Sequence, residues 1–122
     1  MSEGKRRIAV VDDDPRILES LEDLLESAGY MVRTFSSAKA LMDQGLSDLD
    51  CLITDIGMPV MDGFELHSLV KKARPALPVF LITGRHEIGD QRRASSEDTS
   101  GFFRKPIDGP TLLDAIANAL RC

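Results

Sequence analysis

Short apolar runs alternate with segments of helical periodicity along this sequence, and no other feature restricts the fold as much. Residues 8–11 are apolar at every position and are followed directly by three aspartates. A continuous apolar run is typical of a strand that is covered on both faces, as in parallel sheets. Further strands are predicted at residues 31–35, 49–54, 78–83 and 102–103. Because predicted helices separate the strands, the pattern indicates an α/β fold: βαβ units forming an open, doubly wound, five-stranded parallel sheet.

Helix start and stop signals lie between the strands. Asp14 can cap a first helix, Pro15 suits its first position, and Gly29 can end it. Asp108 and Pro110 begin the last helix in the same way. Because capping accounts for Asp14 without further chemistry, we assign this acid a structural role.

The segment between the fourth and fifth strands departs from the pattern. A fourth helix is expected there, but residues 92–100 offer almost no apolar side chains, and the clear anchors are Ile88 and Ala94. A helix without an apolar stripe gains little from packing. We therefore predict a short or mobile element over residues 90–100. The alternative is a regular helix held by tertiary contacts.

Composition narrows the function. The 122 residues suffice for one domain, which we take to span residues 1–122. A net charge of −5 argues against direct binding of nucleic acid. Without a long apolar run or an apolar signal segment, a cytoplasmic protein with no membrane contact is expected.

Two cysteines without metal-binding spacing indicate neither a disulfide framework nor a zinc site, so Cys51 is expected in the core and Cys122 as an exposed thiol.

Acidic residues follow two of the predicted strands. Asp12 and Asp13 come after the first strand and Asp55 after the third. In a doubly wound sheet the carboxyl ends of the strands converge on the functional crevice. Carboxylates held together repel one another and recruit a cation, and Mg²⁺ prefers such oxygen ligands. Solvated turns also carry acids, so this cluster alone is a weak signal.

Other strand ends carry groups that suit phosphoryl transfer. Asp55 could attack a phosphoryl group and form an acyl phosphate. Thr83 offers a hydroxyl, and Lys105 offers an ammonium that can pair with phosphate. Taken singly, Thr83 could be an ordinary strand end and Lys105 a surface charge.

Together, these positions resemble the receiver domains of two-component response regulators over nearly the whole chain. The resemblance rests on five separated motifs in the family's order: VVDDD (10–14), TDIGMP (54–59), MDG (61–63), LITG (81–84) and FRKP (103–106). It implies a flavodoxin-like (βα)5 fold of the chemotaxis-regulator type. It also implies a signalling switch rather than an enzyme, although the domain would catalyse its own phosphorylation and dephosphorylation.

The resemblance assigns the phosphorylation and metal residues. Asp55 matches the phosphoacceptor, which also contacts Mg²⁺. Asp13 matches a direct Mg²⁺ ligand, Asp12 a neighbour that often acts through water, and the backbone carbonyl of Gly57 the third protein ligand.

It also assigns the switch. Thr83 matches the hydroxyl that turns toward the phosphoryl group, and Lys105 matches the lysine that pairs with Asp55 or its phosphate. The bond between Lys105 and Pro106 is typically cis in this family. Phe102 matches the aromatic residue whose rotamer couples to Thr83, although it could be an ordinary core residue because Phe103 is adjacent.

The phosphate lifetime and the partners are expectations of the same kind. Gly57 leaves an acyl phosphate open to water, whereas Arg85 could shield it. A histidine kinase or phosphotransfer protein would be the donor. A homodimer could form through the fourth helix, fifth strand and fifth helix, but Glu97, Asp98 and Thr99 stand where the family usually has small apolar residues. The closing stretch 105–110 resembles regulators that continue into an output domain absent from this chain, the alternative being a stand-alone receiver.

Two other classes of function stay open at this stage. A small aspartate-dependent phosphatase would use Asp12 as nucleophile with Asp14 as second acid, but Arg16 and the short chain disfavour it. A receiver fold could also act as a docking module without phosphorylation. A flavin site is disfavoured because three consecutive aspartates would repel a phosphate.

Overall fold

The computed structural model describes residues 5–58, 60–84 and 100–120. These residues form five strands and four helices. In chain order they are β1 (Arg7–Val11), α1 (Pro15–Ser27), β2 (Met31–Phe35), α2 (Ala38–Gln44), β3 (Cys51–Asp55), α3 (Gly63–Ala73), β4 (Val79–Thr83), β5 (Gly101–Arg104) and α4 (Gly109–Leu120). The last of these, α4, is the helix that the sequence pattern predicts as the fifth.

The strands form one parallel sheet in the order β2-β1-β3-β4-β5. The predicted doubly wound, flavodoxin-like sheet is confirmed. The strand order reverses at β1, which has β2 on one side and β3 on the other, and this reversal opens the crevice in which such folds bind ligands.

Both faces of the sheet are covered, which is why the central strands are apolar at nearly every position. Along β1, Ala9 and Val11 pack into the core on one face, and Ile8 and Val10 pack into the core on the other. Helices α2 and α3 cover the first face, and α1 and α4 cover the second. Cys51 is fully buried in the second core, as predicted, and burial raises the pKa of its thiol to about 12.

Capping residues set the starts of the helices. The Asp14 side chain accepts a hydrogen bond from the Arg16 N–H at 2.9 Å, and Pro15 is the first residue of α1, as predicted. Asp108 caps α4 by accepting from the Thr111 N–H. Helix α3 begins with a reciprocal capping box between Asp62 and Glu65.

Strand β3 begins and ends later in the sequence than predicted. The sequence pattern predicts this strand at residues 49–54, but it runs from Cys51 to Asp55. The Leu49 N–H donates to the Leu46 carbonyl in a turn, so the ladder starts two residues later. Asp55 is therefore the last residue of the strand rather than the first of the loop.

Some predictions fall outside the described residues. This group comprises the helix expected between the fourth and fifth strands, the order of residues 90–100 apart from Ser100, and the positions of Arg85 and Cys122. Within the described ranges, no helix is long and apolar enough to cross a membrane.

Candidate functional site

The sheet brings the predicted acids together at its carboxyl edge. Because β1 and β3 are neighbours, Asp12, which follows β1, lies beside Asp55, which ends β3. One carboxylate oxygen from each of Asp12, Asp13 and Asp55 lies within 4.8 Å of the other two. Asp12 is fully buried, Asp55 is 5% exposed, and Asp13 faces solvent.

Main-chain hydrogen bonds hold Asp12 in place. Its N–H donates to the Phe35 carbonyl at 3.1 Å, and its Oδ1 accepts from the Asp14 N–H at 2.9 Å. Its Oδ2 is buried and is paired with the Lys105 Nζ at 2.9 Å. A carboxylate oxygen has two lone pairs, so Oδ2 can face a further cation while it is paired with the ammonium.

Lys105 bridges two of the acids. Its Nζ lies 2.9 Å from the Asp12 Oδ2 and 3.1 Å from the Asp55 Oδ1. Its backbone is anchored to the neighbouring strand, since the Lys105 N–H donates to the Thr83 carbonyl at 2.7 Å. The peptide bond between Lys105 and Pro106 is cis, as the resemblance implies.

Burial and crowding perturb the charges of these groups. Burial raises the pKa of the Asp55 carboxyl, the neighbouring Asp12 raises it further, and Lys105 offsets only part of the increase. Burial lowers the pKa of Lys105, but its contacts with the carboxylates outweigh that effect, so its pKa lies above the ordinary value. Among the described residues, one lysine thus pairs with two carboxylates while a third lies close by, so negative charge exceeds positive charge there.

A sequence model of the response regulator receiver domain matches residues 8–117. The chain belongs to this family. It is the receiver domain of a two-component response regulator, and such a domain is a signalling switch.

The relatives agree with this assignment. The chain is 36% identical over 121 residues to the transcriptional regulatory protein GlrR of Escherichia coli K12, covering 98% of this chain and 27% of GlrR. It is 35% identical over 122 residues to the response regulator protein TmoT of Ectopseudomonas mendocina, covering 99% of this chain and 56% of TmoT. The receiver domain therefore spans only a quarter to somewhat over half of these curated relatives.

A solved structure supports the same conclusion. The crystal structure of a response regulator receiver domain protein from Clostridium thermocellum superposes with a TM-score of 0.87 at 31% identity. The match covers 95% of this chain and 94% of that one. Fold and sequence therefore agree along almost the whole receiver domain.

The acidic cluster of this receiver domain fits Mg²⁺. All the donors are oxygens, the negative charge exceeds the positive charge of Lys105, and the buried Asp12 Oδ2 can face a further cation while it is paired with Lys105. These are the properties expected of a site for a hard divalent cation. Gly57, whose carbonyl is the predicted third ligand, lies exposed two residues beyond Asp55.

The two predicted switch residues share one face of the sheet. Thr83 is fully buried at the end of β4. Phe102 pairs with Leu81 across the β4–β5 ladder, and both pack into the core under α2 and α3. Thr83 lies two residues after Leu81 in β4, so its side chain is on the same face of the sheet. Phe103 points to the opposite core, with its ring centroid 6.1 Å from that of Phe80. The structure thereby distinguishes two phenylalanines that are adjacent in sequence.

Two residues without a predicted role contact the main chain of Asp55. A Cβ placed on Gly63 would lie 2.5 Å from the Asp55 carbonyl oxygen, and the Thr54 hydroxyl donates to that oxygen at 3.1 Å. In the sequence, both residues stand in motifs that carry the family resemblance, and Gly63 directly follows a helix-capping acid while Thr54 is a polar residue in an apolar strand. Neither signal identifies a partner.

Proposed function

We propose that this receiver domain accepts a phosphoryl group on Asp55 from a histidine kinase or phosphotransfer protein, and thereby switches a partner-binding or output face. One observation carries the proposal: Lys105 Nζ lies 2.9 and 3.1 Å from two carboxylates that face a third at the carboxyl edge of the sheet. Residues 1–122 then make up one switching unit.

Asp55 suits the acceptor role better than Asp12 does. Asp12 is fully buried, with one oxygen bound to the Asp14 N–H and the other beside Lys105. Asp55 retains some exposure at the strand end, where a donor can approach. The phosphatase alternative also needs Asp14 as a second acid, but the Asp14 side chain caps α1 and pairs with Arg16.

In the proposed transfer, a carboxylate oxygen of Asp55 forms a bond to phosphorus while the bond from phosphorus to the donor's histidine nitrogen breaks. The released imidazole keeps the electron pair of that bond and takes up a proton. Lys105 already contacts the Asp55 carboxylate and would pair with the added phosphoryl oxygens. Mg²⁺ held by Asp12, Asp13, Asp55 and the Gly57 carbonyl supplies further positive charge when bound.

The same geometry supports a switch. The phosphoryl group adds charge and acceptor oxygens at Asp55, and the Thr83 hydroxyl at the end of the next strand can turn to bond one of them. Phe102, on the same face, would follow into the vacated space and change the surface around β5 and α4. We propose this surface for homodimer formation or for contact with an output domain. Gly57 and Arg85 would set the lifetime of the phosphate.

Intact mass after incubation with acetyl phosphate and Mg²⁺ tests the proposal. The native chain should gain one phosphoryl group, whereas Asp55→Asn should gain none and EDTA should abolish the gain. Asp43→Asn is a matched control, because Asp43 is an exposed acid paired with Lys39 on α2 and should not affect uptake. Uptake by Asp55→Asn would contradict the assignment. No uptake by folded native protein would instead favour the docking module that works without phosphorylation.

A further inference from the structure

Helix α3 begins directly against the main chain of the proposed phosphoacceptor. The Gly63 N–H donates to the Ile56 carbonyl at 3.0 Å, which ties the first residue of α3 to the residue after Asp55. The capping box of Asp62 and Glu65 fixes the start of the helix at this place. The end of β3 and the start of α3 therefore form one packed unit.

The contact leaves no room for a side chain at position 63. A Cβ on Gly63 would lie 2.5 Å from the Asp55 carbonyl oxygen and 2.8 Å from the Ile56 Cα. Both atoms belong to the main chain, so no rotamer change can relieve the overlap. Gly63 is not among the glycines with positive φ, which are Gly29 and Gly45 among the described residues. Close approach, and not backbone conformation, is what requires glycine here.

Thr54 contacts the same carbonyl from within the strand. Its side chain is fully buried, and its hydroxyl donates to the Asp55 carbonyl oxygen at 3.1 Å. The carbonyl side of this peptide group is thus held by the hydrogen bond from Thr54 and by the close approach of Gly63. Its N–H side is held in the sheet, where the Ile56 N–H donates to the Ile82 carbonyl at 2.9 Å. The side chain of Asp55 extends from this peptide group and places its Oδ1 3.1 Å from the Lys105 Nζ.

We propose that Gly63 and Thr54 are positioning residues for phosphoryl transfer, since both contact the carbonyl of Asp55 and so hold the main chain from which its carboxylate extends. The inference rests on the proposed function of Asp55 as phosphoacceptor. Neither residue touches the phosphoryl group. Their effect is to keep the carboxylate aligned with Lys105 and with the donor, and a displacement of about 1 Å can slow a reaction by roughly a hundredfold.

Gly63→Ala tests the close approach, with Gly101→Ala as matched control. Gly101 begins β5, and a Cβ there would also overlap its neighbours, at 2.8 Å from the Phe80 Cδ1, but these neighbours are side-chain atoms. Thermal unfolding establishes that each variant folds, and the rate of uptake from acetyl phosphate is followed at several donor concentrations. We expect Gly63→Ala to lower the maximal rate by roughly tenfold or more, with little change in the half-saturating donor concentration. Gly101→Ala should stay within about twofold of native even where it lowers the melting temperature.

Thr54→Val and Thr54→Ser test the hydroxyl independently. Valine keeps the shape of threonine without its hydroxyl, and serine keeps the hydroxyl without the methyl group. We expect Thr54→Val to slow uptake by roughly threefold to tenfold, and Thr54→Ser to restore it although serine loses buried apolar contact. A rate that follows the hydroxyl and not the melting temperature is the signature of positioning.

The outcomes separate this inference from the proposed function. No uptake by the native domain overturns both. Native uptake together with a folded Gly63→Ala of native rate overturns the role of Gly63. Equal rates for Thr54→Val and Thr54→Ser overturn the role of the hydroxyl. If Gly63→Ala does not fold, the Thr54 pair decides whether the Asp55 peptide group is positioned by its contacts.

Discussion

The two ends of the sheet carry ion pairs of similar length but of very different burial. At the amino end, Arg7, which begins β1, lies 2.7 Å from Asp48, and both side chains are about 40% exposed. At the carboxyl end, Lys105 lies 2.9 Å from Asp12, and these side chains are 20% and 0% exposed. Exposed pairs contribute little because water and salt screen them, whereas buried charges interact strongly and are costly to desolvate.

The ends also differ in charge balance. At the amino end Asp48 contacts both Arg7 and Arg33, so positive charge is in excess around it. At the carboxyl end the one cation Lys105 contacts both Asp12 and Asp55, and Asp13 lies close by, so negative charge is in excess among the described residues. Burial and an excess of negative charge, and not the distance between partners, therefore distinguish the acidic cluster at the carboxyl end from the surface ion pairs at the amino end.

The largest expected effect is on the rate of phosphoryl uptake when the cation at the carboxyl end is removed, with removal of a cation at the amino end as the control. Lys105→Met should slow phosphoryl uptake at Asp55 by roughly a hundredfold, because the charge that develops on the phosphoryl oxygens loses its partner. Arg33→Met removes a cation from the amino end and should leave uptake unchanged. The rate of mass gain from acetyl phosphate checks both variants. Similar rates for the two would show that the imbalance at the carboxyl end has no part in the chemistry.

A smaller effect is expected on stability and its dependence on pH. The pKa of Asp55 is raised above its ordinary value of 3.8, so the folded protein holds the proton more tightly than the unfolded chain does. The ionised carboxylate therefore destabilises the fold at neutral pH, and this penalty disappears as the pH falls through the raised pKa toward 3.8.

Asp55→Asn should accordingly stabilise the metal-free domain at neutral pH by on the order of 1 kcal/mol. The gain should shrink on acidification. Urea unfolding in EDTA at a series of pH values measures it, with Asp48→Asn as the control at the amino end. A gain for Asp55→Asn that does not depend on pH would contradict the proposed origin in charge.

The smallest effect concerns the backbone of the loop at the carboxyl end. Val60 has a φ of 70° and is the one non-glycine residue with positive φ in the described ranges. A β-branched residue is strained in that conformation, and its fully exposed side chain offers no compensating contact. Val60→Asn should stabilise the domain by about 0.5–1 kcal/mol, because asparagine tolerates the left-handed region.

Val60→Ile is the matched control, since isoleucine keeps the branching and the strain. Urea unfolding of both variants measures the difference. If the two variants have equal free energies of unfolding, the positive φ at position 60 does not strain the loop. The carboxyl end of the sheet would then differ from the amino end in burial and charge balance, and not in backbone strain.

Much of this molecule could be predicted from local sequence. The apolar run at residues 8–11 predicted a strand covered on both faces, and Asp14 with Pro15 predicted the start of α1. The carboxyl ends of the strands followed from the same pattern to within one residue, so Asp12, Asp13 and Asp55 could be expected at one edge of the sheet. Such signals are readable because periodicity and capping depend on residues within one or two turns of each other.

Tertiary structure decided the rest. The family resemblance implied that Lys105 pairs with Asp55, but only packing could show that it also contacts Asp12. Packing also decided between the adjacent phenylalanines by placing Phe102 on the face that carries Thr83. The fit of Gly63 against the Asp55 carbonyl was likewise invisible, because the sequence shows a glycine but not the atom that requires it. These contacts join different elements, and their distances depend on how the helices settle on the sheet, which no local pattern of residues records.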